Sequence, residues 1–166
     1  MSAIASMLTA EPGIENAAGK YLSFKLAEES FGISILKIQE IVGLMPVTFV
    51  PRTPAFMRGV INLRGKVIPV IDLRLKFGME SGQDTERTCI VVVRMPATHG
   101  EVVLGLIVDE VSEVLNIGAS QIEPPPSMNA GDSEFILGMG KLGDKVIMLL
   151  DIDKAISADH LSIPED

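Results

Sequence analysis

The chain has 166 residues and a formal net charge of −8 at pH 7, and 47% of its residues are hydrophobic. This length fits one domain or two small subdomains, and the acidic balance argues against a nucleic-acid-binding surface. No apolar run approaches the roughly 18 residues of a membrane-spanning helix, so insertion into a membrane is not expected.

Most of the predicted elements are short strands. Aromatic residues make up 4% of the chain and Trp is absent, so the core is predicted to be aliphatic. "YLSFKLAEESFGISIL" (21–36) alternates around Glu-Glu-Ser and predicts a hairpin. "RGVINLRGKVIPVIDL" (58–73) predicts a second hairpin, and "TCIVVVRMPATHGEVVLGLIVDEV" (88–111) a third with a longer turn. Strands this short and frequent predict small barrels or sandwiches.

Three short helices are also predicted. They are expected at 53–59, where Thr53 would be the N-cap and Pro54 the first helical residue, and at 72–78 and 151–160.

Asp72 and Asp151 each follow a buried run and precede one of these helical patterns. They could be paired carboxylates of an active site, but this placement favours helix N-caps. The prolines at 124–126 predict an extended connector. Residues 1–19 and 157–166 are predicted to be mobile tails.

The sequence contains an internal repeat. "LRGKVIPVIDL" (63–73) resembles "LGDKVIMLLDI" (142–152), and "FGISILKIQEIV" (31–42) resembles "LGLIVDEVSEVL" (104–115) in the same order. The offset is 79 residues for the first match and 73 for the second. The equivalent pairs are Gly59 and Gly138, Leu63 and Leu142, Lys66 and Lys145, Asp72 and Asp151, Gly32 and Gly105, Ile38 and Val111, and Glu40 and Glu113.

The repeat predicts two related halves, near 20–78 and 85–156. Their charges differ. Residues 20–77 hold nine basic and four acidic side chains, whereas residues 78–166 hold five basic and sixteen acidic ones. A basic first half would suit an acidic protein partner, although uneven solvation charge explains the pattern equally well.

Motifs for catalysis are weak. His99 and His160 lack neighbours at metal-ligand spacing, and Cys89 opens a predicted strand, as a structural thiol in a reducing compartment would. "GMGKLG" (138–143) matches the letters of a dinucleotide-binding loop, but a strand pattern follows it instead of a helix. A small nucleotide-binding enzyme therefore remains only an alternative, and neither a cofactor nor a metal is expected.

The break of the 58–73 hairpin raises a question, because Arg64-Gly65 stands where turn chemistry favours Asn, Asp or Gly. Arg64 could be a solvated loop tip. Alternation, however, points Asn62 away from the face that Ile61 and Leu63 bury. A rigid hairpin with Arg and Asn beside aliphatic residues is typical of a protein-binding hot spot.

The segments "SFGISILKIQEI", "TPAFMRGVINLRGKVIPVIDLRLKFG", "GLIVDEVSEVLNIGASQIEPPP" and "LGMGKLGDKVIMLLDIDK" resemble the CheW family of chemotaxis coupling proteins. The resemblance covers about residues 20–156. It implies an all-β fold of two small five-stranded β-barrels packed around a shared apolar core, with a few short helices and with strand exchange allowed at the junction. It also implies a cytoplasmic, non-enzymatic adaptor at membrane-bound receptor arrays.

The resemblance further implies partners and sites. The partners are the cytoplasmic tip of chemoreceptors and the regulatory domain of the histidine kinase CheA, or their counterparts in a pilus or surface-sensing pathway. The loop "EPPPSM", with Glu123 and Met128, matches a segment implicated in kinase contacts, although other members carry a basic and an aromatic residue at those two positions. The receptor-facing surface falls on Ile38, Glu40, Gly59, Asn62 and Arg64, with Cys89 on a neighbouring strand.

Overall fold

The computed structural model describes residues 18–80, 82–97, 100–125 and 135–156. The all-β prediction is confirmed. The strands are β1 (Gly19–Leu26), β2 (Glu29–Ser34), β3 (Ile38–Gly43), β4 (Met57–Leu63), β5 (Lys66–Asp72), β6 (Cys89–Ala97), β7 (Gly100–Val108), β8 (Glu110–Ile117), β9 (Ile122–Glu123), β10 (Ile136–Leu142) and β11 (Lys145–Leu150). The helical segments are α1 (Leu73–Lys76), α2 (Ile152–Ala155) and 3₁₀ turns at Ile35–Lys37 and Ala119–Gln121.

The strands form two sheets. One has six strands in the order β8-β1-β2-β11-β10-β9, and the other has five in the order β3-β6-β7-β5-β4. The six-stranded sheet exceeds the predicted five strands by β9, which has two residues. Strands from before and after residue 80 are thus interleaved in both sheets, and the division into barrels near 20–78 and 85–156 stays a prediction.

The sequence repeat is also a repeat of strand pairing. In the six-stranded sheet β2 runs parallel to β11 and Gly32 lies opposite Leu149. In the five-stranded sheet β7 runs parallel to β5 and Gly105 lies opposite Val70. These two pairs are related by the offsets of 73 and 79 residues read from the sequence. Each half therefore contributes two strands to the sheet that the other half dominates.

Apolar side chains in the described part of the chain form three clusters. The largest draws on both sheets and on both short helices, and it is the shared core that the family resemblance implied. A second cluster lies within the six-stranded sheet and includes Ile117 and Leu149. The third lies within the five-stranded sheet and includes Ile61, Ile68 and Val92. Burial of aliphatic area in these clusters is the main stabilising contribution to the fold.

The helix predictions fared differently. Asp72 accepts hydrogen bonds from the N–H groups of Arg74 and Leu75, and Asp151 accepts one from Lys154, so both are N-caps as predicted. The helix predicted at 53–59 is wrong. Thr53 instead donates its hydroxyl to the Val50 carbonyl at 2.8 Å, and the segment forms turns that lead into β4.

Candidate functional site

The tip of the β4–β5 hairpin is a two-residue turn in which both central residues have positive φ. The angle is 53° at Arg64 and 87° at Gly65. This is the signature of a type I′ turn, whose twist matches that of the flanking strands. The Asn62 carbonyl oxygen Oδ1 accepts a hydrogen bond from the Gly65 N–H at 2.8 Å, so this predicted site residue also stabilises the turn. Asn62 is exposed.

The Arg64 guanidinium reaches across the sheet to Glu40. Its Nη1 lies 2.7 Å from Glu40 Oε2, and its Nη2 donates to Oε1, which makes the pair bidentate. Glu40 is on β3 and Arg64 follows β4, and these are the opposite edge strands of the five-stranded sheet. Val42 and Leu63 pack against the same inner cluster, so the sheet curls until its edges meet. Ladder hydrogen bonds between β3 and β4 are absent from the residues described here.

The ion pair sets the electrostatics of this surface. Hydrogen bonds from Arg64, and secondarily from Gln39, lower the pKa of the Glu40 carboxyl to about 2. The same hydrogen bond raises the pKa of Arg64. The Glu40 side chain is 21% exposed and that of Arg64 is 69% exposed. Part of the guanidinium therefore remains open to a partner while its position is fixed.

Three predicted site residues lie away from the β4–β5 hairpin tip and are buried or half-buried within their strands: Ile38, Gly59 and Cys89. Ile38, which the family resemblance places on the receptor-facing surface, is half-buried and packs against the shared core. Cys89 is also half-buried against that core, and burial raises the pKa of its thiol. Neither the apolar contact of Ile38 nor the thiol of Cys89 is freely presented on the surface.

Gly59 is buried and allows a close approach within the chain. Its φ is +149°, and a Cβ there would overlap the Thr48 carbonyl and lie 2.9 Å from Val47 Cγ1. The next residue, Val60, exchanges two backbone hydrogen bonds with Thr48, at 2.8 and 2.9 Å. The absence of a side chain at Gly59 thus seats the 47–48 segment against β4. This packing explains why residue 59 is a glycine, and the explanation does not require contact with a partner protein.

Several cations of the first half are paired internally. Arg58 bonds Asp72 and Asp84, each at 3.1 Å, and so does not join the hairpin surface. Arg74 bonds Asp109, which lies in the second half of the chain. Lys37 and Arg64 also pair with carboxylates, so the first half presents a less basic face than its composition suggested.

Two exposed aliphatic residues near the tip were missed from the sequence. Val67 lies directly opposite Asn62 in the hairpin and is 66% exposed. Ile41 follows Glu40 on β3 and is 44% exposed. The alternation that placed Asn62 outward also applies to its cross-strand neighbour, so Val67 could have been found. Ile41 could not, because β3 has an irregular register between Ile38 and Glu40.

The predicted kinase-contact segment is described only in part. Glu123 ends β9, is exposed, and pairs with Lys141 at 2.9 Å. Met128 lies outside the described residues.

The glycines of "GMGKLG" belong to a hairpin. Gly138 and Gly140 lie within β10, Gly143 is in the turn, and β11 follows directly. A dinucleotide loop must instead open a helix, whose free N–H groups meet the phosphates. Within the described ranges, groups of three or more potential metal ligands are absent. No helix in those ranges is long and apolar enough to cross a membrane.

Comparisons with known proteins agree with this architecture. The family model for the CheW-like domain matches residues 20–160. A chemotaxis protein CheW of Klebsiella aerogenes is 39% identical over 153 residues, covering 92% of this chain and 90% of that protein. A chemotaxis protein CheW of Helicobacter pylori is 34% identical over 140 residues, covering 84% and 82%.

Solved structures point to the same family. The crystal structure of the scaffolding protein TtCheW from Thermoanaerobacter tengcongensis superimposes with a TM-score of 0.71 and is 40% identical. The match covers 80% of this chain and 88% of that one. The two-sheet fold, the duplicated hairpins and these matches together show that the chain belongs to the CheW family of chemotaxis scaffold proteins.

Proposed function

We propose that this protein is a non-enzymatic adaptor that couples chemoreceptors, the methyl-accepting chemotaxis proteins, to the histidine kinase CheA at the cytoplasmic side of the receptor array. The observation that carries the proposal is the Arg64 guanidinium, held in place by Glu40 and yet 69% exposed at a rigid hairpin tip. Membership of a family of scaffold proteins supports the same role.

The receptor-facing surface is centred on Arg64, Asn62 and Val67. A guanidinium fork and an exposed amide suit the acidic and amide groups of a helical receptor tip. Val67, opposite Asn62, and Ile41, beside Glu40, supply the apolar contact that Ile38 does not offer fully. Ile38, Gly59 and Cys89 act on this surface indirectly, because they hold β3, β4 and β6 in position.

The kinase regulatory domain docks elsewhere, on the exposed ends of the two sheets. Glu123 is one candidate contact, with its ion pair to Lys141 available for exchange with a partner's charge. Two separate docking surfaces on one chain, joined through the shared core, let a receptor's conformational state bias kinase activity, provided that the contacts differ between the receptor's states. Each interface is expected to be modest, and arrays gain strength through multivalency.

A binding assay tests the proposal. The purified chain is immobilised and exposed to receptor cytoplasmic fragments and to kinase regulatory domains of the chemotaxis, pilus and surface-sensing pathways. The proposal predicts retention of a receptor fragment and a kinase domain of the chemotaxis pathway. Retention of pilus or surface-sensing partners alone would reassign the adaptor to that pathway, and calorimetric nucleotide binding would revive the enzyme alternative.

A further inference from the structure

A cavity of about 220 Å³, lined by both polar and aliphatic side chains, lies among β1, β2, β8 and the β10–β11 hairpin. Ser23, Ser30 and Glu113 line it, together with the exposed Lys25 and Lys145. Ser23 is one of few buried polar side chains in the described part of the chain, with 5% exposure. The internal repeat allows each lining residue to be compared with its counterpart in the five-stranded sheet.

Strand register fixes these counterparts independently of sequence similarity. Ser23 of β1 lies opposite Glu113 of β8, just as Val92 of β6 lies opposite Glu40 of β3. Both pairings stand beside an irregularity in register. Glu113 is therefore the structural counterpart of Glu40.

The same comparison extends to the hydroxyls and cations of the cavity. Lys25 lies opposite Ser30 between β1 and β2, and Arg94 lies opposite Val103 between β6 and β7. Two aliphatic side chains of the inner cluster of the five-stranded sheet, Val92 and Val103, thus correspond to serines here. Hydroxyls take the place of methyl groups beside Glu113.

The second half of the repeat has no arginine at the position equivalent to Arg64. Gly143 stands at the position equivalent to Arg64, and the two residues have similar backbone angles, with φ of 63° and 53°. An ion pair to Glu113 is absent among the residues that the structure covers. The cavity therefore keeps the carboxylate of the Arg64–Glu40 arrangement and has open space and hydroxyls where arginine and valine would be.

We propose that this cavity binds an arginine side chain presented by a partner protein, with Glu113 accepting its guanidinium as Glu40 accepts that of Arg64. The hydroxyls of Ser23 and Ser30 accept remaining guanidinium N–H groups, which number five and need more than one carboxylate to satisfy them. The site goes beyond the proposed adaptor function and does not depend on which receptor or kinase is bound.

Nearby cations do not prevent this occupancy. Lys25 and Lys145 correspond to Arg94 and Lys66 in the five-stranded sheet, where Arg64 pairs with its glutamate all the same. The closest precedent for the charge arrangement is thus within the same chain. An arginine is favoured over a lysine because its planar fork bonds both carboxylate oxygens at once.

The test is a titration of the isotopically labelled chain with N-acetyl-L-argininamide, in which binding is measured from changes in the backbone amide NMR chemical shifts. The proposal predicts saturable shifts confined to the cavity strands, with a Kd in the millimolar range that a single ion pair allows. N-acetyl-L-lysinamide is expected to bind several-fold more weakly. Glu113→Gln removes the shifts, and the matched control Glu101→Gln, which changes an exposed acid of β7, preserves them.

A second variant tests the comparison between copies. Gly143→Arg places an arginine at a backbone angle that Arg64 already adopts, so the new side chain should occupy the cavity and abolish binding of the probe. The proposal is overturned by shifts that persist in Glu113→Gln, by an absence of saturable shifts in the wild-type chain, or by tighter binding of N-acetyl-L-glutamate. None of these results involves a receptor or kinase, so they leave the proposed adaptor function untouched.

Discussion

Arg64 pairs with both carboxylate oxygens of Glu40 and thereby joins the two edge strands of the five-stranded sheet. Its backbone has a φ of 53°, a conformation that L-residues other than Asn and Asp adopt reluctantly. The turn gains nothing from arginine, so the residue is explained by what its side chain reaches. The pair fixes a guanidinium that still faces solvent, as a docking residue requires.

The substitution Arg64→Asn distinguishes the contribution of residue 64 to the stability of the turn from its contribution to receptor binding. Asn-Gly is the preferred pair of a type I′ turn, and this gain should offset the loss of the exposed ion pair, so the variant is expected to unfold at about the same urea concentration as wild type. Binding of the receptor fragment should nevertheless fall about tenfold or more, because the guanidinium is gone. Urea denaturation and calorimetry measure the two effects. A variant that is less stable yet binds normally would contradict the assignment.

A charge swap distinguishes a docking residue from an internal clamp. Arg64→Glu should weaken receptor binding roughly thirtyfold or more, as loss of a hot-spot charge does. The double variant Glu40→Arg/Arg64→Glu restores an ion pair between the edge strands but leaves the wrong charge at the exposed tip, so binding should stay weak. Lys20→Glu, on an exposed residue of β1 in the six-stranded sheet, is the control. Full recovery in the double variant would show that the pair acts only within the fold.

The pKa of Glu40 reports the ion pair directly. With Arg64 present it is about 2, against an ordinary value of 4.5. Because the folded-state pKa is lowered, the stabilisation is present above pH 4.5 and is lost as the pH falls toward 2. In Arg64→Gln the carboxyl should titrate near its ordinary value. Carboxyl ¹³C NMR shifts measure both midpoints, and equal midpoints would exclude the pair in solution.

Gly59→Ala should damage the fold. The added Cβ would overlap the Thr48 carbonyl at a φ unsuited to alanine, so the free energy of unfolding should drop by roughly 2 kcal/mol or more. Gly43→Ala is the matched control, since nothing lies within 4 Å of a Cβ there and its effect should be within about 0.5 kcal/mol. Urea denaturation compares them. Similar stabilities for the two variants would remove the structural account of Gly59.

The Arg74–Asp109 pair links the two halves of the chain, and Asp109 also accepts the Ala27 N–H at 2.6 Å. Arg74→Ala is expected to lower the free energy of unfolding by about 1–2 kcal/mol, because the pair is largely shielded and Asp109 loses a partner. Arg87→Ala removes an exposed pair with a 3.6 Å separation and should cost less than about 0.5 kcal/mol. Equal effects in thermal unfolding would contradict the linking role.

The sequence predicted the features that depend on local chemistry. Residue type and spacing predict the two N-caps, the hairpins and the repeat. The parallel pairs Gly32–Leu149 and Gly105–Val70 are related by the 73- and 79-residue offsets found in the sequence. The wrong helix at 53–59 had good helix-start residues, but seating of Thr48 against β4 holds the neighbouring chain in turns.

The candidate site was only partly predictable. Arg64, Asn62 and Glu40 could be named from the sequence, but the contact between Arg64 and Glu40 could not, because it joins strands that are far apart in the sheet order and close only through its curl. The burial of Ile38 against the shared core depends likewise on how the two sheets pack. Both are tertiary effects that alternation along one strand does not encode.

In the proposed function, one molecule of this chain bridges a receptor and a kinase. The decisive measurement is co-sedimentation of CheA with receptor-bearing membranes, with and without the chain. The kinase is expected to enter the pellet only when the wild-type chain is added, and Arg64→Glu should leave the kinase in the supernatant. Kinase that sediments equally well without the chain, or that displaces the chain from the membranes, would contradict it.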